Sequence, residues 1–388
     1  MFGTKKLQEH VVALFDMSSG SVAGAHALLG TDNAPITILA SERLESEVQE
    51  EMDVKRLVDD SLKGITTVAT MLQKADLHKP TRIELVLASP WYVSQTRTIQ
   101  YKKDAPFLCN KKLIGELIDK EINYMVANEL SQFNGFGKEG TVVEKQISLI
   151  KLNGYTTTNP YNKRAQSLEI FLTLTVAPKK IIDSFIDALR HAYGVRHVAL
   201  TTSPYATFVV ARDYFHDADE CVIIDVGEEV TDVAFIKGGL FLYQHSFPIG
   251  TFGLYHEIVT KGTHTALEAR SLLETYRLGK ASDTAKKKME KAISAFSERW
   301  QRGFQEILND GHYGFCLPDL SYIVSDPRFE GVFPVIISTD PFVQHACLKG
   351  VARPMFINET SVSPFIKTLD ETIDVPLALA ALFTARMM

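Results

Sequence analysis

The same strand–turn–strand pattern occurs twice in this sequence. The first copy is HVVALFDMSSGSVAGAHALLG (residues 10–30), and the second is ECVIIDVGEEVTDVAFIK (residues 220–237). In both, a run of apolar residues ends in an aspartate, Asp16 or Asp225, and a tight turn follows. Such a pattern predicts an antiparallel hairpin, and the backbone N–H groups of a tight turn can bind an anion. The repeat therefore favours a fold of two similar halves, each with a turn that could bind an anion.

The elements around the two hairpins support this division. A third strand is predicted after each hairpin, at residues 34–44 and 240–249, and apolar residues at helical spacing predict helices over 54–72, 266–278 and 283–308. Residues 94–178 instead follow the order strand, helix, strand, strand, with Asn110 capping the helix. Pro178 begins the next helix and Gly194 ends it. We therefore expect an α/β chain with an inserted subdomain.

Composition excludes several classes of function. The chain has 388 residues and a formal net charge of -6, so we expect no nucleic-acid partner. Its four cysteines lack paired spacing, which argues against a zinc site or a disulfide framework. No apolar run approaches the roughly 18 residues of a membrane span, and none is typical of a signal peptide. The cytoplasm is the expected compartment.

These features resemble bacterial actin homologues of the FtsA and PilM type over most of the chain. The resemblance rests on residues 16–23 in the first turn, residues 147–172 in the insert, TTSPYATFVVA (201–211), PIGTFGLYHEI (248–258) and VPLALAALF (375–383). It implies an α/β, duplicated actin-like (ribonuclease H-like) two-lobed ATPase fold with an inserted strand-helix-strand-strand subdomain. The implied parts are residues 9–93 and 179–218 for lobe I, 94–178 for the insert and 219–388 for lobe II.

The resemblance also implies a nucleotide cleft between the two turns. Its candidate residues are Asp16, Ser18, Ser19, Gly20, Asp225, Gly227, Glu228, Glu229, Thr231, Asp232 and Gly250. A functional cleft of this kind would bind ATP with magnesium. No HExxH, Ser-His-Asp or Cys-His spacing is present, so we predict neither a catalytic residue nor an independent metal site.

The second turn departs from the family in a way that opposes phosphate binding. Family members usually have Asp-x-Gly-Gly-Gly-Thr-Thr-Asp, whereas this chain places Glu228 and Glu229 at the second and third glycines and Val230 at the first threonine. Two unit charges about 4 Å apart repel by about 4 kcal/mol at an effective dielectric constant of about 20. In the first turn Ser18 replaces a glycine and Ala23 replaces a lysine, which removes a cation. The phosphate side is therefore expected to be degenerate.

The residues expected on the nucleoside side of the cleft also depart from the family pattern. The family's Ala-Glu-x-x-Lys aligns with residues 269–273, where Arg270 and Leu273 replace the two polar contacts. The glycine-rich adenosine turn is replaced by DPRFEGVFP, in which Pro327, Arg328 and Phe329 are expected to crowd a purine. We therefore expect no cofactor, and we expect the retained aspartates and glycines to support hairpin geometry.

These departures favour a non-catalytic actin-like scaffold or adaptor at the cytoplasmic membrane face, with an FtsA-like role in cell division. Two alternatives stay open: a PilM-like type IV pilus assembly protein that binds a membrane partner's cytoplasmic peptide, and an ATP-binding ATPase with an unusual site. A protein partner is expected at the edge of the inserted subdomain. Membrane association is expected only through a partner because the chain stops directly after its last core helix, and self-association is left open.

Overall fold

The computed structural model describes residues 10–30, 35–46, 53–76, 78–133, 136, 138–215, 218–260, 265–310, 317–339 and 351–388. The chain begins with β1 (His10–Met17), β2 (Ser21–Leu29), β3 (Ile36–Glu45), α1 (Val54–Ala75) and β4 (Arg82–Leu87). The inserted subdomain follows, with β5 (Val93–Cys109), α2 (Lys111–Glu129), β6 (Gly140–Leu152), β7 (Tyr155–Thr156) and β8 (Lys163–Pro178). The first lobe then resumes with α3 (Lys179–Tyr193), β9 (Val198–Thr202) and α4 (Ser203–Tyr214).

The second lobe starts with β10 (Glu220–Val226), β11 (Thr231–Lys237), β12 (Leu240–Phe247), α5 (Phe252–Thr260), α6 (Ala266–Arg277) and α7 (Asp283–Asp310). It continues with β13 (Leu320–Ser325), α8 (Phe333–Thr339) and β14 (Arg353–Phe356). The last described elements are α9 (Glu359–Val362), β15 (Ile366–Thr368) and α10 (Val375–Met387). Short 3-10 helices lie at Leu130–Phe133 and Pro327–Phe329.

The two lobes share one sheet topology, which confirms the duplication. The first sheet has the order β15-β3-β2-β1-β4-β9 and the second has the order β12-β11-β10-β13-β14. In each, an antiparallel hairpin lies beside a parallel strand: β1 pairs with β2 and β4, and β10 pairs with β11 and β13. Parallel pairing buries a strand on both faces, so β1 and β10 are apolar along their length.

Two helices fill the space between the sheets. Residues of α4 and α10 share one apolar cluster with Val12 and Leu14 of β1 and with Cys221 and Ile223 of β10. The alternate side chains, such as Phe15 and Ile224, face separate clusters on the outer sides of the sheets. Each central strand is thus buried by helices on both faces, and its aspartate emerges at one end.

The chain returns to the first lobe before it ends. We expected residues 219–388 to form the second lobe, but β15 pairs with β3 in the first sheet, and α10 packs against α4, β1 and β2. The expected boundary of 219–388 for lobe II therefore includes residues that pack on the first lobe. The apolar surface of α10 is buried between the two sheets and not on the second lobe alone. The helix boundaries at Asn110 and Gly194 are confirmed: Asn110 caps α2, and Gly194 ends α3 with a left-handed φ of 68°.

The inserted subdomain forms a four-stranded sheet of order β5-β8-β6-β7, with α2 on one face. Its apolar residues belong to the same cluster as those of α1 and α3, so its core is continuous with that of the first lobe. The other face meets the second lobe, where Thr96 and Ser148 donate hydrogen bonds to the carbonyl oxygens of Leu242 and Phe241 in β12. A deletion of residues 94–178 would therefore expose core residues of the first lobe.

A buried carboxylate fixes the insert to the first lobe. Glu144 of β6 accepts hydrogen bonds from the Thr201 hydroxyl at 3.0 Å and from the Thr202 backbone N–H at 2.7 Å, where α4 begins. Burial raises the pKa of Glu144 to about 7, against the opposing effect of these hydrogen bonds. The next residue, Ser203, lines the cleft between the lobes. The hydrogen bonds of Glu144 therefore connect the insert to the residues that precede this part of the cleft.

Candidate functional site

The two predicted turns face each other across a cavity of about 490 Å³ between the lobes. Asp16 and Asp225 lie in equivalent positions, each near the end of a central strand and each at most 7% exposed. Both turns are closed by a backbone hydrogen bond, from Ser18 N–H to Ser21 O at 3.1 Å and from Gly227 N–H to Val230 O at 3.0 Å. The cavity therefore lies where the sequence predicts a phosphate site.

The side chain of Glu228 crosses this cavity from the second turn to the first. Its Oε1 accepts a hydrogen bond from the Ser18 hydroxyl at 2.8 Å, and the hydroxyls of Ser19 and Ser21 lie 3.5 Å from the same carboxylate. A Cβ atom at Gly20 would lie only 2.3 Å from Glu228 Cγ. The first turn thus binds an anion supplied by the protein, and Gly20 provides the space for it.

The start of α5 forms hydrogen bonds with the backbone of the second turn. The N–H groups of Thr251 and Phe252 donate to the carbonyl oxygens of Gly227 and Glu228, both at 2.9 Å. A Cβ atom at Gly250 would lie 2.4 Å from the backbone of Glu228, so only glycine permits this approach. These bonds fix the backbone from which the Glu228 side chain extends.

A cation lies beside the first turn, although we expected none. Arg43 of β3 stands opposite Ala23 of β2 in the sheet register. Residue 23 is the position where the family has lysine. Its guanidinium donates to Ser21 Oγ at 2.6 Å, Asp16 Oδ2 at 3.1 Å and both oxygens of Asp374. The lysine expected at residue 23 in the family is absent, and Arg43 of the neighbouring strand places a positive charge beside the same turn.

Burial raises the pKa values of two aspartates of this site. It raises the pKa of Asp16 to about 6, against the opposing effect of Arg43, and it raises the pKa of Asp225 to about 8, aided by the nearby Asp232. The Oδ2 atom of Asp225 is buried and has no hydrogen-bond partner among the described residues. Asp374 differs, since Arg43 lowers its pKa despite the opposing effect of burial.

Charged side chains also bridge the lobes on the predicted nucleoside side. Glu45, at the end of β3, accepts hydrogen bonds from Arg270 of α6 and from Arg328 at 2.8 Å. Asp326 binds the other side of the Arg328 guanidinium, and Arg270 lies 5.7 Å from the ring centroids of Phe252 and Tyr255. Arg270, which we expected merely to remove a nucleoside contact, and Arg328, which we expected to crowd a purine, therefore connect the lobes.

Not every candidate residue faces the cavity. Asp16, Ser18, Gly20, Asp225, Gly227 and Glu228 line it. Thr231 instead bonds Ile249 O and Trp300 Nε1, and Asp232 bonds the hydroxyls of Tyr92 and Ser246. Burial raises the pKa of Glu229. Phe329 packs against Phe333 inside the second lobe, so our expectation that it crowds a purine was wrong.

Sequence reasoning missed Arg43, Glu45 and Asp374. The only sequence signal for Arg43 is its pairing opposite Ala23, which requires the strand register to be known. In the part of the chain that the structure describes, no group of three or more histidine, cysteine, aspartate or glutamate side chains is arranged to hold a metal ion. The cleft residues therefore do not fit a magnesium nucleotide: a carboxylate already binds the first turn, and ion pairs bridge the nucleoside side.

The fold is the α/β two-lobed actin-like ATPase fold, and the comparisons with solved structures confirm it. A chain of the PilM-PilN type IV pilus biogenesis complex matches with a TM-score of 0.63 and 13% sequence identity, over 97% of this chain and 98% of that one. The ethanolamine utilization protein EutJ from Carboxydothermus hydrogenoformans matches with a TM-score of 0.48 and 9% identity, over 97% and 92% of the two chains. At 13% identity the PilM match establishes the fold alone.

No family model matches the sequence, and no curated protein is similar to it. The expected FtsA/PilM resemblance is thus supported as far as the actin-like fold. None of the described helices is long and apolar enough to span a membrane.

Replacing Asp225 with asparagine should flatten the pH dependence of stability. The folded-state pKa of Asp225 is raised from 3.8 to about 8, so its stabilising contribution is complete below pH 3.8 and is lost as the pH rises towards 8. The variant should therefore unfold at a higher temperature than the wild type at pH 8.5 and lose this advantage at pH 5. Thermal unfolding at both pH values tests this, with Asp60→Asn, at a more exposed site, as control. Parallel pH curves for Asp225→Asn and wild type would contradict it.

Proposed function

We propose that this chain is an actin-like adaptor that binds a protein partner and does not turn over nucleotide. The observation that carries the proposal is the Glu228 carboxylate in the first phosphate turn, 2.8 Å from the Ser18 hydroxyl. A phosphate approaching the same hydroxyls would have to displace this carboxylate or lie beside it. Charge repulsion at about 4 Å costs about 4 kcal/mol at an effective dielectric constant of about 20, which is roughly a thousandfold in affinity.

The nucleoside side supports the same conclusion independently. The bridge from Glu45 to Arg270 and Arg328 joins the lobes where a base and ribose would enter. Opening it would leave charged groups that are partly buried without partners, which adds to the cost of binding. In actin-like ATPases nucleotide holds the lobes together, whereas here the protein's own side chains join them.

For the partner, we propose a PilM-like role in which the chain binds a cytoplasmic peptide of a membrane protein in type IV pilus assembly. The matching PilM chain comes from a complex with PilN, and the match extends over nearly the full length of both chains. An FtsA-like role in division depends on the turn LNGYTTTNP, and we rank it second. In either role the partner would hold the chain at the cytoplasmic face of the membrane.

A groove of about 460 Å³ is a suitable place for such a peptide. It lies where α1, the segment 89–95 and the second lobe meet, and most of its lining is apolar. The lining includes Val54, Leu57, Trp91, Tyr92, Phe133, Val230, Phe247 and Pro248. Peptide-binding sites commonly combine an apolar groove with a few polar groups, which Gln95 and His245 supply here. The second turn forms one wall of this groove, since its residue Val230, which directly follows Glu229, is part of the lining.

The first prediction from this proposal concerns nucleotide. Millimolar Mg-ATP should leave the melting temperature unchanged, and hydrolysis should not exceed background, because Glu228 occupies the first turn and Glu45 bridges the nucleoside side. Differential scanning fluorimetry and a phosphate-release assay measure these two quantities. A stabilisation by Mg-ATP that disappears in Asp225→Ala would instead support an ATP-binding protein with an unusual site.

The second prediction separates the two glutamates of the turn. Glu228→Gly should permit tripolyphosphate to bind, since it frees the hydroxyls of Ser18, Ser19 and Ser21 beside Arg43. Glu229→Gly is the matched control, and it should not, because no hydrogen bond links Glu229 to the first turn. Inorganic tripolyphosphate is the appropriate probe because the nucleoside side stays bridged in both variants. Isothermal titration would show the difference, and equal binding by the two variants would refute the assigned role of Glu228.

The third prediction concerns the groove. Val230→Lys places an ammonium group in its apolar lining and should abolish recovery of the membrane partner in an affinity purification followed by mass spectrometry. Leu267→Lys introduces the same charge at a site on α6 that is 76% exposed, and it should recover the partner normally. Binding of a peptide from the recovered protein would then be measured directly. Equal recovery with Val230→Lys would place recognition elsewhere.

A further inference from the structure

The end of the inserted sheet farthest from the first lobe carries a concentrated positive charge. This far end comprises residues 101–112 and 151–166, and it contains seven cationic side chains and one carboxylate, Asp104. The cations are Lys102, Lys103, Lys111, Lys112, Lys151, Lys163 and Arg164. The whole chain has a formal net charge of -6, so the charge is strongly segregated. Segregation of this kind indicates interaction with an anionic surface.

Most of these cations are not neutralised by the protein. Among the described residues, only Lys112 forms an ion pair, with Glu116 at 3.9 Å and at an exposed position. Three others lie over aromatic rings: Lys103 is 5.5 Å from the ring centroid of Tyr101, Lys111 is 5.7 Å from that of Tyr161, and Lys151 is 5.0 Å from that of Phe171. Their charges remain available to an external anion.

Apolar side chains are exposed among the cations. Tyr155 is 79% exposed and Leu108 is 49% exposed, although both lie in ordered segments of the sheet. Amphipathic rings and aliphatic groups beside lysines are typical of surfaces that contact the headgroup region of a bilayer.

The loop that presents Tyr155 is held in place by its own hydrogen bonds. Asn153 adopts a left-handed φ of 51°, and its Oδ1 accepts from the backbone N–H groups of Gln166 at 2.8 Å and Ser167 at 3.1 Å. Thr157 Oγ1 donates to Asn159 O and accepts from Lys163 Nζ, both at 3.0 Å. A fixed loop loses little conformational entropy on binding.

The far end lies at the opposite end of the inserted sheet from the junction with the first lobe. The insert joins the first lobe where β5 begins at Val93 and where β8 ends at Pro178, and Val93 pairs with Val176. Nine residues of strand separate Val93 from Lys102, which is roughly 30 Å at about 3.3 Å per residue. The basic end is therefore separated from that junction by much of the length of the sheet.

We propose that the far end of the insert binds the surface of an anionic lipid bilayer directly. The charge separation within the molecule orients it, with the basic end towards the lipid and the acidic lobes away. A bilayer suits this surface better than an acidic peptide does, because the cations surround protruding loops and a wide-open depression at Lys102, Lys103 and Gln166. This contact adds to the partner binding proposed above and uses different residues.

Vesicle co-sedimentation of the full chain tests the proposal. Wild-type protein should bind vesicles of phosphatidylcholine with 30% phosphatidylglycerol but not vesicles of phosphatidylcholine alone, and binding should weaken as salt rises. Replacing Lys102, Lys103, Lys111 and Arg164 with glutamine should reduce binding at least tenfold. The matched control replaces Lys286, Lys287, Lys288 and Lys291 of α7 with glutamine; these four are also exposed and also form no ion pair with described residues. It should bind as the wild type does.

A local probe adds a second readout. Trp91 and Trp300 are both buried, so Tyr155→Trp introduces the sole exposed tryptophan, and its emission should shift to shorter wavelength with anionic vesicles. Absence of binding to anionic vesicles, or an equal loss in the α7 control, would overturn the proposal. Single-stranded RNA could also displace the protein from the vesicles. If it did so at a phosphate concentration below that of the lipid, the proposal would be overturned and the patch would be assigned to nucleic acid. Val230→Lys should leave vesicle binding unchanged, which separates this contact from the groove.

Discussion

A hydrogen bond crosses the cleft between a carboxylate of one lobe and a serine hydroxyl of the other, and the surrounding charges are arranged around it. Glu228 leaves the second turn, fills the space above Gly20 and binds Ser18 at 2.8 Å. The hydroxyls of the first turn are buried, and buried polar groups need hydrogen-bond partners. Here the chain itself supplies a carboxylate as one of those partners.

Once a carboxylate occupies the turn, the charges around it must be balanced by other protein groups. Arg43 sits between Asp16 and Asp374, which places a cation where the first lobe would otherwise contain only acids. Asp374 also caps α10 through the backbone N–H of Leu377, so the helix that fills the space between the sheets is tied to the same arginine. The pKa of Asp225 is raised because burial favours the neutral acid and the nearby Asp232 adds to the effect.

The sequence predicts the local structure well and the contacts across the cleft poorly. Asp16 and Asp225 end apolar strands, and Asn110 and Gly194 delimit helices, because each signal arises from a few neighbouring residues. The target of Glu228 is 210 residues away, and the pairing of Arg43 with Asp374 joins the third strand to the last helix. Reading the glutamate as a repelling charge was sound for a phosphate ligand, but only the structure shows that a hydroxyl of the first turn donates a hydrogen bond to it.

The position of the second turn connects the cleft to the proposed peptide groove. Glu228 points into the cleft, whereas Val230, two residues further along the turn, lines the groove. The backbone between them is fixed by the N–H groups of Thr251 and Phe252 and by the close approach of Gly250. The hydrogen bond of Glu228 to Ser18 holds the same turn from the other side. The cleft and the proposed groove therefore share one wall, which is held by contacts within the protein.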